Sequence, residues 1–308
     1  MLENDEFWDF YWETRLMFME NMGKRAAVLA ASRLIRSMAG QIDHPIRLLE
    51  LGCGDGQIIG PLLDAHTDSC DLYGSVGVDY SPQVLQRCRQ RIPGLTCVAG
   101  DFSDPDLLSS LGHFDLILMV NALHEVYSDC FSAELGEIDD PGGKEQVKQT
   151  LAAASGHLHP GGWLVLFDGL EPEDALGQTR RIRFRDRQSR TGFETFVREY
   201  QPFHIHYQPV DGDMCVELSL RDLTRYLTKS NFLGNALWET EKLQSYQYFT
   251  QEEFRSVIKQ IGLQLVELNI LTLNEDKWDS LVSLETDGSG FPDEHILILA
   301  KTNEKKGY

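Results

Sequence analysis

Three side chains that can hold or move a proton follow an apolar run in the middle of the chain. The run is FDLILMV, residues 114–120, and His124, Glu125 and Tyr127 come shortly after it. A histidine suits general-base catalysis because its ring changes charge near neutral pH. His124 is therefore a candidate base for a hydroxyl or amine substrate, or else a polar ring that only closes a ligand pocket. Glu125 and Tyr127 are candidates for hydrogen bonds to a substrate, or for capping the next helix.

A second chemically capable group is a cluster of arginines in an acidic chain. The net charge is −20, from 28 Lys and Arg against 48 Asp and Glu. Six arginines nevertheless fall within residues 180–190, and Arg183 and Arg185 alternate with apolar residues as on one face of a strand. Guanidinium groups bind carboxylates through paired hydrogen bonds, so this stretch predicts recognition of an anionic acceptor. Salt bridges to the acidic surface of the protein itself are the alternative.

The segment IRLLELGCGDGQII, residues 46–59, predicts a ligand site of a different kind. Its apolar residues indicate a buried parallel strand, and Gly52, Gly54 and Gly56 follow on alternate positions. Glycines allow positive φ and let a ligand lie against the backbone, while amides at the start of the next helix face that ligand. The pattern is typical of a nucleotide-type site at the carboxyl end of a strand. A nicotinamide site would need glycine where Gln57 stands.

The elements that must position these residues alternate along the chain. After the glycine loop we predict a helix, and Ser81-Pro82 indicates the start of another, as N-cap and first helical residue. The alternation of strands with helices predicts an α/β doubly wound sheet. The further predicted strands are 73–78, 95–99, 114–120, 163–167, 263–273 and 295–300, with a late helix at 251–261.

Four motifs in this order resemble those of the class I S-adenosylmethionine-dependent methyltransferases. They are ELGCGDG at 50–56, VGVDYSPQVL at 76–85, the pair Asp101-Phe102, and HPGGWLVL at 159–166. The resemblance implies a seven-stranded, mostly parallel sheet with helices on both faces, and S-adenosylmethionine as the cofactor. It implies that Asp79 accepts both ribose hydroxyls and that Asp101 meets the adenine. The implied cofactor-binding residues are Glu50, Gly52, Gly54, Gly56, Asp79, Tyr80, Asp101, Phe102 and Asn121.

Two segments outside the motifs are expected to cover the site. The first 22 residues are rich in aromatic residues at helical spacing, which predicts a lid that includes Tyr11, or a helix that simply docks on the domain. Tyr246 and Tyr248 are expected to form an aromatic wall near the substrate, or else to pack the insert on the sheet. The predicted units are a helical lid at 1–44, the cofactor core at 45–167, a substrate-cover insert at 168–248 and the completion of the core sheet at 249–308.

Composition limits the range of functions. With 42 % hydrophobic and 25 % charged residues the chain is typical of a globular protein, and its acidity disfavours nucleic acid as a partner. We expect no membrane span, a cytoplasmic location and reduced cysteines, because no leader, long apolar run or C-x-x-C pair is present. His204 and His206 share a strand face as two metal ligands could, but no third ligand is indicated and we predict no metal.

These observations together predict a methyltransferase that acts on a small-molecule or peptide acceptor. The arginine stretch favours an anionic or carboxylate-bearing acceptor, and a specialised biosynthetic pathway is the expected setting. An RNA methyltransferase is one alternative, although the acidity and the absence of an N-P-P-Y-type motif oppose it. A non-catalytic S-adenosylmethionine-binding partner or sensor is the other. The sequence carries no signal for an oligomeric state.

Overall fold

A computed structural model of the protein describes residues 22–285 and 290–303. Residues 1–21 of the predicted lid, including Tyr11, therefore lie outside the described residues. The strands are β1 (Leu48–Leu51), β2 (Val76–Asp79), β3 (Thr96–Ala99), β4 (Phe114–Val120), β5 (Phe131–Ser132), β6 (Glu137–Ile138), β7 (Leu158–Gly169), β8 (Thr179–Phe184), β9 (Tyr207–Pro209), β10 (Cys215–Ser219), β11 (Gln264–Leu271), β12 (Val282–Leu284) and β13 (His295–Lys301).

The helices of the described ranges alternate with these strands through the first half of the chain. They are α1 (Met22–Met38), α2 (Ile59–Ala65), α3 (Pro82–Arg91), α4 (Pro105–Ser109), α5 (Leu123–Ser128), α6 (Asp140–Ser155), α7 (Arg187–Glu199), α8 (Leu220–Ser230), α9 (Trp238–Glu241), α10 (Gln251–Gln260) and α11 (Glu275–Leu281). None of them is long and apolar enough to cross a membrane. The short hairpin β5–β6 and helix α6 were not predicted.

The main sheet has seven strands in the order β11-β13-β7-β4-β1-β2-β3. Its strands are parallel except β13, which pairs antiparallel with both β7 and β11. The predicted doubly wound, mostly parallel sheet is thereby confirmed. The chain leaves β1 towards β2 and β3 on one side and resumes at β4 and β7 on the other, so the strand order reverses between β1 and β4. A crevice opens at the carboxyl ends of strands at such a point.

Burial on both faces explains why the central strands are apolar throughout. All seven residues of β4 and all four of β1 are buried. Helix α1 packs its small residues on one face of the sheet, and a Cβ on Gly23 would lie 2.2 Å from the Phe167 ring. The opposite face shares one hydrophobic cluster with the insert, so the insert rests directly on the core.

The insert is built on a second, antiparallel sheet of four strands in the order β12-β8-β10-β9. Strand β12, which pairs with β8, belongs to the segment between β11 and β13. Helix α11 precedes it, and Trp278 of that helix is buried and donates a hydrogen bond to the Leu227 carbonyl at 2.9 Å. The predicted boundary at residue 248 assigns 275–284 to the core, whereas their strand pairing and packing lie with the insert.

Candidate active site

The glycine loop after β1 adopts the backbone that its sequence predicts. Gly52, Gly54 and Gly56 have φ values of 76°, 54° and 84°, in the left-handed region that disfavours residues with a Cβ. Space is also restricted, because a Cβ on Gly52 would lie 2.8 Å from that of Ala122. The loop therefore brings its backbone close to the end of β4.

A crevice lies between the ends of β1, β2 and β4, at the point where the strand order reverses. Its described lining consists of Lys24, Glu50, Gly52, Cys53, Gly54, Gln57, Ile58, Asp79, Tyr80, Val84, Val120, Asn121, Ala122 and Glu125. Six of the nine residues predicted to bind cofactor are among them. Gly56, Asp101 and Phe102 are not part of this lining, and the Asp101 carboxylate instead accepts the Ser103 N–H at 2.8 Å.

Asp79 stands at the end of β2 with both carboxylate oxygens held in place. One oxygen accepts the Gly54 N–H at 2.9 Å and the other accepts the Ser81 N–H at 3.0 Å. Burial raises the pKa of Asp79, although these two hydrogen bonds oppose the shift. Each oxygen keeps a further lone pair, so the side chain can still accept two hydroxyl groups.

Glu50 is the second carboxylate of the crevice and is almost completely buried. It accepts the Ile59 N–H at 3.0 Å, at the start of α2. Burial raises the pKa of Glu50 well above its usual value, while the positive charge of Lys24 acts to lower it. A buried carboxylate of this kind is better stabilised when a cationic ligand enters the crevice.

Lys24 is a lining residue that the sequence did not reveal. It belongs to α1 and is the one cation among the described lining residues, which include the acids Glu50, Asp79 and Glu125. A lysine offers three donors and a positive charge, so it can pair with a ligand carboxylate. The crevice thus offers partners for a ligand that has hydroxyl, cationic and carboxylate groups.

Helix α5 begins directly beyond the crevice because Asn121 turns the chain. Asn121 has φ of 53°, and its N–H donates to the Phe167 carbonyl at 2.7 Å. The buried carboxylate of Asp168, at the end of β7, then receives the N–H groups of Ala122, Leu123 and His124 at 3.2, 2.8 and 3.3 Å. Asp168 therefore fixes the start of this helix.

The same carboxylate orients the His124 ring. His124 Nδ1 lies 2.9 Å from Asp168 Oδ1, and both side chains are buried. Because a carboxylate only accepts hydrogen bonds, we assign the proton of the neutral ring to Nδ1 and the lone pair to Nε2. Nε2 is buried and has no hydrogen-bond partner within the described part of the chain. His124 itself is not among the described lining residues, although Ala122 and Glu125 on either side of it are, so its second nitrogen is enclosed next to the crevice and not exposed in it.

Residues near His124 divide between the crevice and the core. Glu125 lines the crevice. Tyr127 is fully buried and donates a 2.6 Å hydrogen bond to Asp140; burial, followed by that acid, raises its pKa. Tyr248 packs in the core against Phe249 and Phe254, and burial raises its pKa well above the usual value. The placement of Tyr248 fits the packing alternative, and the Tyr127 hydroxyl bonds Asp140, the first residue of α6, as the helix-capping alternative for Tyr127 expects.

Tyr246 has a different environment from Tyr248, its neighbour two residues on. Its ring meets the His124 ring edge to face, with 4.4 Å between centroids. It is partly exposed, whereas Tyr248 is fully buried. Of the two predicted wall residues, Tyr246 is therefore the one beside the candidate base.

The arginines of the insert face carboxylates of the same insert. Arg181 pairs with Glu217 at 2.6 Å and Arg185 with Asp279 at 2.6 Å. Arg183 pairs with Glu285, which raises the pKa of the guanidinium and lowers that of the acid. These pairs are the salt bridges that the sequence analysis gave as the alternative to recognition of an anionic acceptor. The described lining of the crevice includes neither Arg183 nor Arg185.

The two histidines considered as metal ligands lie on the insert. His204 is largely exposed, with its Nε2 4.0 Å from a Glu137 oxygen. Within residues 22–285 and 290–303 no three histidine, cysteine or acidic side chains converge to hold a metal ion.

Comparison with known proteins agrees with the sheet and the glycine loop. Residues 49–164, a little over a third of the chain, match a family model described as a methyltransferase domain. No curated protein matches the sequence. Residues 49–164 are thus a methyltransferase domain, and S-adenosylmethionine is the cofactor that such a domain uses.

Solved structures of methyltransferases also match this chain, at low sequence identity. Magnesium protoporphyrin IX methyltransferase from Synechocystis PCC 6803, with bound S-adenosylmethionine, is 11 % identical, with 92 % of this chain and 81 % of that chain covered and a TM-score of 0.45. 1,6-Didemethyltoxoflavin-N1-methyltransferase from Burkholderia thailandensis is 12 % identical, with 97 % of this chain and 86 % of that chain covered and a TM-score of 0.46. An O-methyltransferase family 2 protein from Planctomyces limnophilus DSM 3776, in complex with apigenin, is 16 % identical, with 91 % of this chain and 61 % of that chain covered and a TM-score of 0.44.

Proposed function

We propose that this enzyme methylates a hydroxyl or amine group of a small-molecule acceptor, with His124 as general base and Asp168 as its positioning partner. One observation carries the proposal: Asp168 holds Nδ1 of His124 at 2.9 Å, while Nε2 is buried without a described partner. This is the arrangement that turns a histidine into a directed proton acceptor.

The crevice residues hold the cofactor in this proposal. When bound, S-adenosylmethionine supplies an electrophilic methyl group on a sulfonium sulfur. Asp79 would accept its ribose hydroxyls, the Gly52–Gly56 loop would lie against its methionine part, and Lys24 would pair with its carboxylate. In their ionised forms Glu50 and Glu125 would complement its cationic groups, because opposite charges attract strongly in a partly buried site.

The role of His124 is to remove the acceptor proton. The O–H or N–H bond of the acceptor breaks, its proton passes to Nε2, and the electron pair stays on the acceptor atom. The ring becomes an imidazolium whose Nδ1–H remains bonded to the Asp168 carboxylate. A positioned general base of this type contributes about 10²- to 10⁴-fold in rate.

A protic acceptor fits the described site better than a carboxylate does. A carboxylate is already ionised at neutral pH and needs no base. The guanidinium groups that favoured an anionic acceptor pair with Glu217, Glu285 and Asp279 instead. The buried histidine and the paired arginines therefore support a hydroxyl or amine.

The test is a screen for S-adenosylhomocysteine release with separate panels of phenols, alcohols, amines and carboxylates. We expect turnover with the O–H or N–H panels. With the acceptor found there, His124→Gln and Asp168→Asn should lower kcat by roughly 10²- to 10⁴-fold and leave S-adenosylhomocysteine affinity within about twofold. His157→Gln is the matched control, because His157 bonds the Gly112 carbonyl and neither residue is part of the described crevice lining.

Three results would contradict the proposal. The first is turnover with carboxylates alone, and the second is full activity of a folded His124→Gln variant. The third is tight binding of S-adenosylhomocysteine with no transfer to any panel, which would favour the binding-partner or sensor alternative.

A further inference from the structure

A buried ion pair lies in the insert, away from the described lining of the cofactor crevice. Lys229 at the end of α8 bonds Glu241 at the end of α9, with 2.7 Å between Nζ and Oε2 and 1 % exposure of each side chain. Such a pair adds little to stability relative to an apolar pair of similar volume, because both charges lose their hydration. Its presence calls for a role other than stability.

Both charged groups of the pair contact Tyr246. The Tyr246 hydroxyl donates a hydrogen bond to the Glu241 Oε2 that also receives Lys229. The ammonium nitrogen of Lys229 lies 3.5 Å from the centroid of the Tyr246 ring, in cation–π contact. The pair thus holds the tyrosine by its hydroxyl and by its ring.

The backbone around Tyr246 is also tied to the catalytic edge of the core. A Cβ on Gly169 would lie 2.0 Å from the Tyr246 carbonyl oxygen, so the two segments are in direct contact. The preceding Ser245 donates its N–H at 3.0 Å to Ser128 Oγ, and that hydroxyl donates to the His124 carbonyl at 2.6 Å. Tyr246 is therefore fixed relative to helix α5.

His124 lies between two fixed groups as a result. Asp168 bonds Nδ1 of the ring, and Tyr246 packs against the ring edge to face, with 4.4 Å between centroids. A single hydrogen bond leaves an imidazole free to tilt about that bond, whereas an aromatic contact at a second position restricts the tilt.

We infer that Lys229, Glu241 and Tyr246 are positioning residues that set the orientation of His124 from the insert. The inference rests on the proposed function of His124. The buried ion pair then has a role in catalysis, because it holds the aromatic ring that restrains the base. Two helices of the insert thereby act on the methyl-transfer site through Tyr246.

The test compares three variants in the S-adenosylhomocysteine complex. Lys229→Met combined with Glu241→Leu removes both charges at similar volume, Tyr246→Phe removes only the hydroxyl, and Tyr226→Phe is the control. Tyr226 is a buried tyrosine of the same insert that packs on Phe193 and Phe196. Three properties are measured: the ¹⁵N NMR spectrum of histidine-labelled protein, the melting temperature, and the affinity for S-adenosylhomocysteine by calorimetry. The His124 signals are assigned as those that disappear in the His124→Gln variant.

We expect the wild type and Tyr226→Phe to show His124 as one Nδ1-protonated tautomer. The double variant should lose this pattern, with exchange-broadened or doubled His124 signals, while its melting temperature stays equal or rises and its affinity stays within about twofold. Tyr246→Phe should fall between the two. With the acceptor from the screen, kcat of the double variant should drop on the order of 10- to 100-fold at unchanged KM for S-adenosylmethionine.

A purely structural role predicts the opposite combination. If the double variant melts lower while its His124 spectrum and kcat match the wild type, the inference is wrong. Failure of the proposed function has a different signature: His124→Gln would turn over normally, whatever the spectra of the Tyr246 and ion-pair variants.

Discussion

Lys24 offers the sharpest test of how the crevice holds its cofactor. Burial raises the pKa of Glu50, and the positive charge of Lys24 opposes that shift, so the lysine acts on a group of the crevice; it is also the one cation in the described lining. Lys24→Met should remove a charge-assisted contact to the amino-acid carboxylate of the ligand. Such a contact contributes about 1.5–3 kcal/mol, which corresponds to roughly a 10- to 150-fold increase in Kd.

Two ligands measured by calorimetry separate this contact from a general loss of binding. S-Adenosylhomocysteine carries the carboxylate, whereas 5′-methylthioadenosine has the same nucleoside without the amino-acid part. We expect Lys24→Met to weaken only the first ligand. Asp79→Ala should weaken both by a similar factor, because both contain the ribose. Lys144→Met is the control, since Lys144 pairs with Glu253 and is not in the described lining.

The proposed contact of Lys24 is refuted if the variant binds both ligands as the wild type does. It is equally refuted if the two affinities fall by the same factor, because the lysine would then act on the shape of the crevice. An equal fall would also follow if the lysine contacted the nucleoside, which both ligands contain.

Two further predictions follow from the charges described. Burial raises the pKa of Glu50 and of Asp79, and the cationic cofactor favours the ionised form of both carboxylates. The affinity for S-adenosylmethionine should therefore rise with pH as these two groups lose their protons, and it should fall in acid. The Glu50→Gln variant should show a smaller dependence of affinity on pH. Calorimetry between pH 5 and 8 checks this, and a flat profile would contradict it. For the exposed pair Arg183–Glu285, Arg183→Ala should leave turnover and KM unchanged in the release assay, and a raised KM would restore the anionic-acceptor interpretation.

The parts of the site that follow from short-range chemistry could be predicted from the sequence. Gly52, Gly54 and Gly56 were predicted from their spacing after an apolar strand, and all three have positive φ. The alternation of Arg183 and Arg185 with apolar residues likewise predicted one face of a strand; Arg183 lies on β8 and Arg185 directly follows it. Periodicity of two is a local property of the backbone, so it is readable without a fold.

The partners of those residues could not be predicted, because they come from distant parts of the chain. The acids facing Arg183 and Arg185 are Glu285 and Asp279, about a hundred residues away in sequence. Asp168 meets His124 only because β4 and β7 are adjacent in the sheet. Lys24 reaches the crevice through the path of α1, and no local pattern indicates where a helix crosses a sheet.

Tyr246 and Tyr248 illustrate the same limit at close range. The two tyrosines lie in one aromatic stretch, and the sequence offered the same pair of roles for both. The fold buries Tyr248 among core aromatic rings and turns Tyr246 towards His124. Where the Tyr246 backbone runs, it lies directly against Gly169 at the end of β7, a contact between two segments that are distant in sequence.

Strand β12 has a consequence for any attempt to move the insert between enzymes. The insert's sheet is assembled from two separate excursions of the chain, one after β7 and one between β11 and β13. A chimaera that carries residues 170–249 alone would leave β8 with an open edge beside Arg183, and exposed strand edges promote aggregation. Recombination must therefore exchange both excursions together, and related enzymes with a different insert should differ in both loops at once.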